Sequence, residues 1–285
     1  MALKDLTVLL DPSEQSKSRL TLAAMLAGRH GAHLTGLCLA ESVRPNPILL
    51  TGDAFAYGGA LESFYEQVAA ERAALISPVE AGFMDRLARD GISGEWVADD
   101  GPPTIASLAR ARLADLVIAG QDPPAEAEQP SYAAPIEELL LDSGRPLLLI
   151  PYYGSFPTCG DTILVGWTDT REAVRALHDA MPLLAAARSV TVLAVDPEHD
   201  EPGTRDIPTA DVARHLARHG AKAIAAETVT GTISTADALL DYASDIGADL
   251  IVVGGYGHAR VRELVIGGVT RSLLRHMTVP ILFSH

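Results

Sequence analysis

The chain has little cysteine, little aromatic content and a shortage of basic charge. Two cysteines, Cys38 and Cys159, are too few for a disulfide framework and lack metal-binding spacing, so both thiols are expected to be free. Lys and Arg number 22 against 37 Asp and Glu, which gives a formal net charge of −15. Because a field of that sign repels phosphate backbones and no local basic patch offsets it, nucleic acid is not expected as a partner.

Long apolar runs are also missing. The start of the chain, MALKDLTVLLDPSEQ, has only a short apolar run between Asp5 and Asp11, too short for a signal peptide. No stretch approaches the roughly 18 apolar residues of a membrane span. The sequence therefore predicts a soluble cytoplasmic protein that does not enter a membrane.

The sequence is rich in internal repetition. ADLVIAGQ from Ala114 matches ADLIVVGG from Ala248 at an offset of 134, and RPLLLIP and VPILFSH keep that offset. Upstream, LTVLLDPSE resembles DTILVGWTD and HLTGLCLA resembles SVTVLAVD at offsets near 155. The first copy therefore holds about twenty extra residues. They are predicted near 43–64, where Pro and Gly indicate a surface insertion before a helix; a lid or partner contact is the alternative.

Each copy alternates short Val, Ile and Leu runs with segments of helical periodicity, giving five strands and four helices. Near-continuous apolar strands between helices indicate a parallel sheet covered on both faces. Right-handed crossovers then give a doubly wound unit. We therefore predict an α/β protein of two tandem doubly wound domains, 1–153 and 160–285, with a linker within 152–161.

The most unusual stretch is VVGGYGHARVRELVIGGVTRS, which follows a predicted strand near the end of the chain. Ligands of open parallel sheets bind beyond such strand ends. Gly254, Gly255 and Gly257 allow a close approach of the backbone to a flat ligand. Gly267 and Gly268 precede a helix whose first-turn amides can bind an anion. From these residues alone, a nucleotide site and a tight structural turn are equal alternatives.

The spacing Gly254-x-x-Gly257, nine residues, then Gly267 resembles the ATP-binding signature of the universal stress protein family. The surrounding ADLIVVGGYGHARVRELVIGGVTRSLLRHMTVPILF is similar to that family's C-terminal third, and the whole chain resembles its tandem two-domain form. The resemblance implies five-stranded sheets of order 3-2-1-4-5 and two domains paired within the chain. It also implies ATP or another adenine nucleotide as ligand, with Mg²⁺ left open.

The resemblance places the nucleotide in the second domain. The implied binding residues follow the fourth strand, start the next helix or lie at the ends of two other strands. They are Val253, Gly254, Gly255, Gly257 and His258 after the fourth strand, Gly267, Gly268, Val269 and Thr270 at the helix start, and Val195 and Thr168 at the other strand ends. Two of these depart from the family pattern. Gly268 replaces a Ser or Thr, and Thr168, beside Asp169, replaces an Asp. Weaker ATP binding or another adenosine ligand is expected.

The first domain lacks the motif at the matching positions. The offset of 134 places Pro123, Ala133, Ala134 and Pro135 opposite Gly257, Gly267, Gly268 and Val269. Proline has no amide to donate, and β-carbons block close approach of a ligand. Asp11 nevertheless fits the family's Asp after the first strand. We therefore expect at most one nucleotide per chain.

Other side chains carry weaker signals. His215 and His219 have a spacing that can chelate a metal, but no third ligand lies nearby in the sequence, so no metal site is predicted. The acidic stretch DPEHDEP could recruit a divalent ion but favours a solvated loop. His258, Arg260 and Arg262 are candidate phosphate contacts. Trp167 could stack on a base or line the domain interface, and the interface is favoured.

No Ser-His-Asp order, carboxylate pair or activated Cys emerges, so no catalytic residue is assigned and ATP hydrolysis is expected to be slow at most. The sequence therefore predicts an ATP-binding sensor or adaptor. The alternative is a structural or interaction protein with a vestigial site. A homodimer and an unidentified protein partner are both left open.

Overall fold

The computed structural model describes residues 2–40, 43, 60–124, 134–197, 207–255 and 268–285. The strands in these residues are β1 Asp5–Leu9, β2 His33–Leu39, β3 Gly94–Asp99, β4 Leu116–Gly120, β5 Leu147–Ile150, β6 Thr162–Gly166, β7 Ser189–Val195, β8 Ala223–Thr228, β9 Leu250–Gly254 and β10 Ile281–Ser284. The helices are α1 Glu14–His30, α2 Ala60–Asp90, α3 Pro103–Ala111, α4 Ile136–Asp142, α5 Arg171–Asp179, α6 Met181–Ala186, α7 Thr209–Arg218, α8 Thr235–Asp245 and α9 Gly268–His276.

The strands form one ten-stranded sheet of order β3-β2-β1-β4-β5-β10-β9-β6-β7-β8. Each half has the predicted order 3-2-1-4-5, and its neighbouring strands are parallel. The halves join through the antiparallel pair β5 and β10, in which Leu148 lies opposite Leu282. The predicted α/β fold with two doubly wound halves is confirmed, and the halves pair within the chain.

The helices cover both faces of this sheet, as near-continuous apolar strands require. Side chains of α1, α2, α5, α6 and α7 pack into one core layer. Side chains of α3, α4, α8 and α9 pack into the layer on the other face. The central strands are almost fully buried between the two layers.

The helix that follows the first strand of each half begins in the same way. Ser13 caps α1 by accepting from the Ser16 amide, and Thr170 caps α5 by accepting from the Ala173 amide. The second half has one helix more than the predicted four within the described residues, because the segment after Thr170 forms two helices, α5 and α6. Pro182 lies in the first turn of α6, where its missing N–H and its ring prevent a continuous helix.

The extra residues of the first half are largely helical. α2 has 31 residues whereas its counterpart α7 has 10, and α2 already begins at Ala60. The predicted loop therefore does not extend through residue 64, because this Ala- and Glu-rich stretch favours helix. Residues 44–59 of the predicted insertion lie outside the described part of the chain.

The repeated Ala-Asp-Leu motif has a structural explanation. The Asp249 carboxylate accepts hydrogen bonds from the amides of Gly160, Asp161 and Thr162 at 2.9–3.0 Å. At the matching position, Asp115 accepts from the amides of Lys4 and Asp5 at 2.7 and 3.1 Å. Each aspartate thus anchors the first strand of its half to the fourth.

Replacing Asp249 by Ala should lower the free energy of unfolding by about 2–3 kcal/mol, because three backbone donors lose a charged acceptor. Urea denaturation measures the change. Asp115→Ala should lower the free energy of unfolding by a smaller amount, since it removes only two such hydrogen bonds. Equal losses for the two variants, or a loss no larger than that of Asp241→Ala on the exposed face of α8, would contradict this role.

Candidate functional site

The predicted site lies at the carboxyl edge of the second half of the sheet. In β6, Gly166 lies opposite Leu193 of β7 and Val253 of β9. The chain order reverses between β6 and β9, which makes this the topological switch point where open α/β sheets bind ligands. The structure therefore brings the ends of three strands, with Thr168, Val195 and Gly254, to one edge.

The individual candidates differ in accessibility. Val253 and Gly255 are buried, Val195 and Gly254 are half-buried, and Thr168 is exposed. Helix α9 begins at Gly268, and its first turn has exposed Gly268 and Val269 and buried Thr270. The remaining predicted contacts lie outside the described residues: Gly257, His258, Arg260, Arg262 and Gly267.

Gly254 is required by packing. A β-carbon there would lie 2.5 Å from the Ala173 nitrogen and 2.6 Å from the Glu172 carbonyl carbon, both backbone atoms at the start of α5. Real β-carbons do not come that close to backbone. Packing alone therefore accounts for Gly254, because the first turn of α5 rests directly on this residue.

Gly255 belongs to the contact between the two halves. Its amide donates to the Ser284 carbonyl at 2.8 Å, and a β-carbon there would lie 3.1 Å from Leu140 of α4. Its carbonyl is 3.1 Å from Nδ1 of His285. The backbone amide and carbonyl of Gly255 therefore both already have polar contacts within the chain.

The matching place in the first half is filled by an arginine. A β-carbon on Gly120 would lie 2.0 Å from Nη1 of Arg19, so the guanidinium occupies the space against this strand end. Arg19 Nε donates to the Leu9 carbonyl at 2.6 Å, and Nη2 pairs with the Asp11 carboxylate. The Arg19 side chain is 6% exposed. A buried, internally supplied cation thus lies where this half would accept a ligand.

The Asp11 carboxylate already has two partners within the chain, Arg19 and the amide of Ser13. Besides pairing with Arg19, its carboxylate accepts from the Ser13 amide at 2.8 Å. The resemblance assigns this position to adenosine, but here the carboxylate fixes the start of α1.

The helix start that would face the phosphates is also missing from the first half. Helix α4 begins only at Ile136, after Pro135 and without a side-chain cap, so the position that matches Val269 has no amide to donate.

The second half has a different polar arrangement at the same edge. Thr168, at the position of Asp11, has its hydroxyl 3.2 Å from that of Thr170, the α5 cap. Asp196, directly after β7, has a positive φ of 49°. Its carboxylate accepts from the Thr230 amide at 2.9 Å and hydroxyl at 2.6 Å, and these bonds lower the pKa of Asp196. Asp196 therefore links the ends of β7 and β8.

Trp167 takes neither of its predicted roles. The side chain is buried in the core layer formed with α5 and α7, and its Nε1 donates to the Ile207 carbonyl at 3.0 Å. It therefore secures the segment before α7 and is not placed to stack on a ligand.

Both cysteines are free, as predicted, and the structure buries both of them. Burial raises the pKa of the Cys38 thiol to about 12, and it also raises the pKa of Cys159. Thiols of such high pKa are poor nucleophiles at neutral pH.

A cavity of about 960 Å³ lies between the two halves. It is bounded by the segment after β4, by Tyr152 and Tyr153, and by α9. Gln121 bridges the halves here, donating to the carbonyls of Leu274 and Arg275 at 2.8 and 3.0 Å. Burial and the neighbouring Glu137 raise the pKa of Asp122 in its wall. The sequence did not reveal this cavity, because its walls come from different halves.

A family model described as universal stress protein family matches residues 160–285. A curated universal stress protein of Synechocystis is 41% identical over 46 residues, which is 16% of this chain and 16% of that protein. The second half of the chain, residues 160–285, is thus a universal stress protein domain. A universal stress protein of Archaeoglobus fulgidus matches 98% of the chain and 96% of its own length at 17% identity, with a TM-score of 0.68. That universal stress protein shares the fold of both halves.

Another universal stress protein, solved in complex with cAMP, matches 44% of this chain and 97% of its own length at 18% identity, with a TM-score of 0.31. Among the described residues, no helix combines the length and apolar content needed to cross a bilayer.

Proposed function

We propose that the whole chain is a tandem universal stress protein, with domains 1–153 and 160–285, and that it is a cytoplasmic sensor or adaptor that binds one ATP, or another adenine nucleotide, in its second domain. The proposal is carried by the asymmetry between the two switch points. In the first half, Arg19 fills the space beside Gly120 and pairs with Asp11. In the second, Ala176 occupies the helix position of Arg19 and Thr168 replaces Asp11, so no cation from the described residues occupies the corresponding place.

The described residues suggest how the ligand would be held. The exposed Thr168 and half-buried Val195 flank the strand ends where a nucleoside would lie. Gly268 and Val269 at the start of α9 are exposed, and the first amides of a helix have no partner within the helix, which favours a phosphate there. Mg²⁺ would accompany the phosphates. No general base is assigned at this edge, so binding rather than hydrolysis is the expected activity.

Calorimetric titration of the full chain with ATP and Mg²⁺ tests the proposal, with native mass spectrometry of the gently purified protein as a second measurement. We expect one adenine nucleotide per chain. Two equivalent sites would overturn the assignment to the second domain, and no binding at millimolar ATP would overturn nucleotide binding altogether.

Replacing Gly268 by Ser should tighten ATP binding about tenfold, because a hydroxyl donor to a charged phosphate contributes about 1.5 kcal/mol or more. No described heavy atom lies within 4 Å of a β-carbon at Gly268, so the helix start accommodates the side chain. Calorimetry of the variant measures the change. Ala134→Ser, at the matching position of the first half, is the control and should leave ATP affinity unchanged. An unchanged affinity for Gly268→Ser would contradict phosphate at this helix start.

A vestigial site is the second candidate function. The packing of α5 on Gly254 favours it, because this glycine is explained without a ligand. The protein would then act through its acidic surface on a protein partner, alone or as a homodimer. Absence of nucleotide from the purified protein, together with no binding on ATP addition, would select this alternative.

A further inference from the structure

The cavity between the two halves has walls that come from matching elements of the repeat. Helix α4 of the first half and helix α9 of the second both line it, and Gln121 contributes to the same wall. At the offset of 134, Gln121 matches Gly255, and Leu274 of α9 matches Leu140 of α4. The two places can therefore be compared residue by residue.

The two matching places are filled in different ways. Gly255 lets α4 come close, since a β-carbon there would lie 3.1 Å from Leu140. Gln121 instead has a side chain that donates to two carbonyls in the last turn of α9, at 2.8 and 3.0 Å, and accepts from the Tyr152 amide at 2.9 Å. Gln121 thus separates α9 from the strand end, and the cavity lies beside this spacer.

The two helices carry opposite charges where they line the cavity. Glu137 on α4 and Arg271 on α9 occupy matching positions of the repeat, and Arg275 and His276 follow one turn later on α9. Asp122, after β4, adds a second carboxylate close to that of Glu137. Among the described residues, none of the two arginines and two carboxylates forms an ion pair. The cavity therefore has an acidic side and a basic side that do not neutralise each other.

The remaining wall is apolar and aromatic. Ile136, Leu149 and Met277 are buried side chains that line the cavity. Tyr153 is largely exposed and packs edge-on against Tyr152, with ring centroids 4.8 Å apart, so a face of its ring is open to a flat group. The volume of about 960 Å³ lies within the range of small-molecule sites.

We propose that this cavity binds a zwitterion whose amine and carboxylate lie apart on an apolar or aromatic body, of which a short peptide is the simplest example. The amine would face Glu137 and Asp122, and the carboxylate would face Arg271 and Arg275. A ligand with charge of one sign would leave the opposite side of the cavity unmatched, whereas a zwitterion matches both. The site lies at the joint between the halves and does not depend on nucleotide binding at the switch point.

Calorimetric titration of the full chain with the tripeptide Gly-Trp-Gly tests the site, because its free ends lie up to about 10 Å apart. The matched probes are the N-acetylated peptide, which lacks the amine, and the C-amidated peptide, which lacks the carboxylate. We expect the free peptide to bind at least about tenfold more tightly than either capped form, since each loses a charged contact. Equal affinity for the three peptides, or no binding at about 10 mM free peptide, would overturn the proposal.

Two variants distinguish the two sides of the cavity. Arg275→Gln should weaken binding of free Gly-Trp-Gly about tenfold and leave the C-amidated peptide unaffected. Glu137→Gln should weaken binding of the free peptide similarly and leave the N-acetylated peptide unaffected. Glu138→Gln is the control, because Glu138 is exposed on α4 and does not line the cavity. Wild-type affinity in Arg275→Gln, or an equal loss in Glu138→Gln, would overturn the assigned sides.

The three substituted side chains are exposed, so circular dichroism should show unchanged folding in these variants. Saturating ATP with Mg²⁺ should leave the affinity for Gly-Trp-Gly unchanged. Displacement of the peptide by ATP would place it in the nucleotide site and overturn a separate site at the joint. Peptide binding by a chain that binds no ATP would support this site and contradict only the proposed nucleotide function.

Discussion

Replacing Arg19 by Met is expected to lower the free energy of unfolding by about 3 kcal/mol. The guanidinium is almost fully buried, donates to the Leu9 carbonyl and pairs with Asp11. Removing it leaves a largely buried carboxylate without its partner, and breaking a buried pair from one side costs about 3–5 kcal/mol. The partial exposure of Asp11, 17%, places the expected loss at the lower end of that range. Urea unfolding followed by circular dichroism measures it.

Lys17 on the same helix provides the control. Its ion pair with Glu14 leaves both side chains 74% exposed, so Lys17→Met should change stability by less than about 0.5 kcal/mol. Adding Asp11→Asn to Arg19→Met should recover part of the loss, since the buried charge is then gone. An Arg19 variant as stable as the Lys17 variant would show that the buried pair has no stabilising role.

Gly254→Ala is expected to destabilise the second half by about 3 kcal/mol. The new β-carbon would lie within 2.6 Å of two backbone atoms of α5, so the helix must move away from β9. Overpacking of this kind typically costs about 1–3 kcal/mol, and backbone cannot move aside as a flexible side chain can. Thermal unfolding of the full chain measures the shift.

Gly268 is the matched control, because no described heavy atom lies within 4 Å of its added β-carbon. Gly268→Ala should therefore be neutral or slightly stabilising, since Ala favours helix over Gly. If Gly254→Ala were equally neutral, α5 would not rest on β9 as described, and the glycine would need a ligand as its explanation.

The alternation of strands and helices could be predicted from sequence, because buried parallel strands have apolar runs and their repeats keep a fixed spacing, whereas the strand order followed from the resemblance to the universal stress protein family. The helix after the first strand of each half followed as well, because those segments have helical periodicity. The helical extension at the start of α2 was missed, since its Pro and Gly neighbours indicate loop while Ala and Glu favour helix.

The details of the site could not be predicted in this way. Arg19 meets Gly120 across a hundred residues, and nothing in the local pattern distinguishes it from a solvated helix arginine. The close approach of α5 to Gly254 likewise depends on how deeply that helix packs. The cavity between the halves depends on Gln121, which reaches α9 across 153 residues of the chain.

The antiparallel joint between β5 and β10 also decides how the molecule behaves on dilution. Two separate chains paired through such strands would come apart as their concentration fell, whereas here the covalent link keeps the effective concentration of each half constant. The described sheet then ends at β3 and β8, whose outer residues include the acidic Glu95, Asp99 and Glu227. Charged edge strands resist pairing with other chains, so the acidic edges discourage further growth of the sheet. The covalent link keeps the central joint closed, and the charged edges keep the sheet at ten strands.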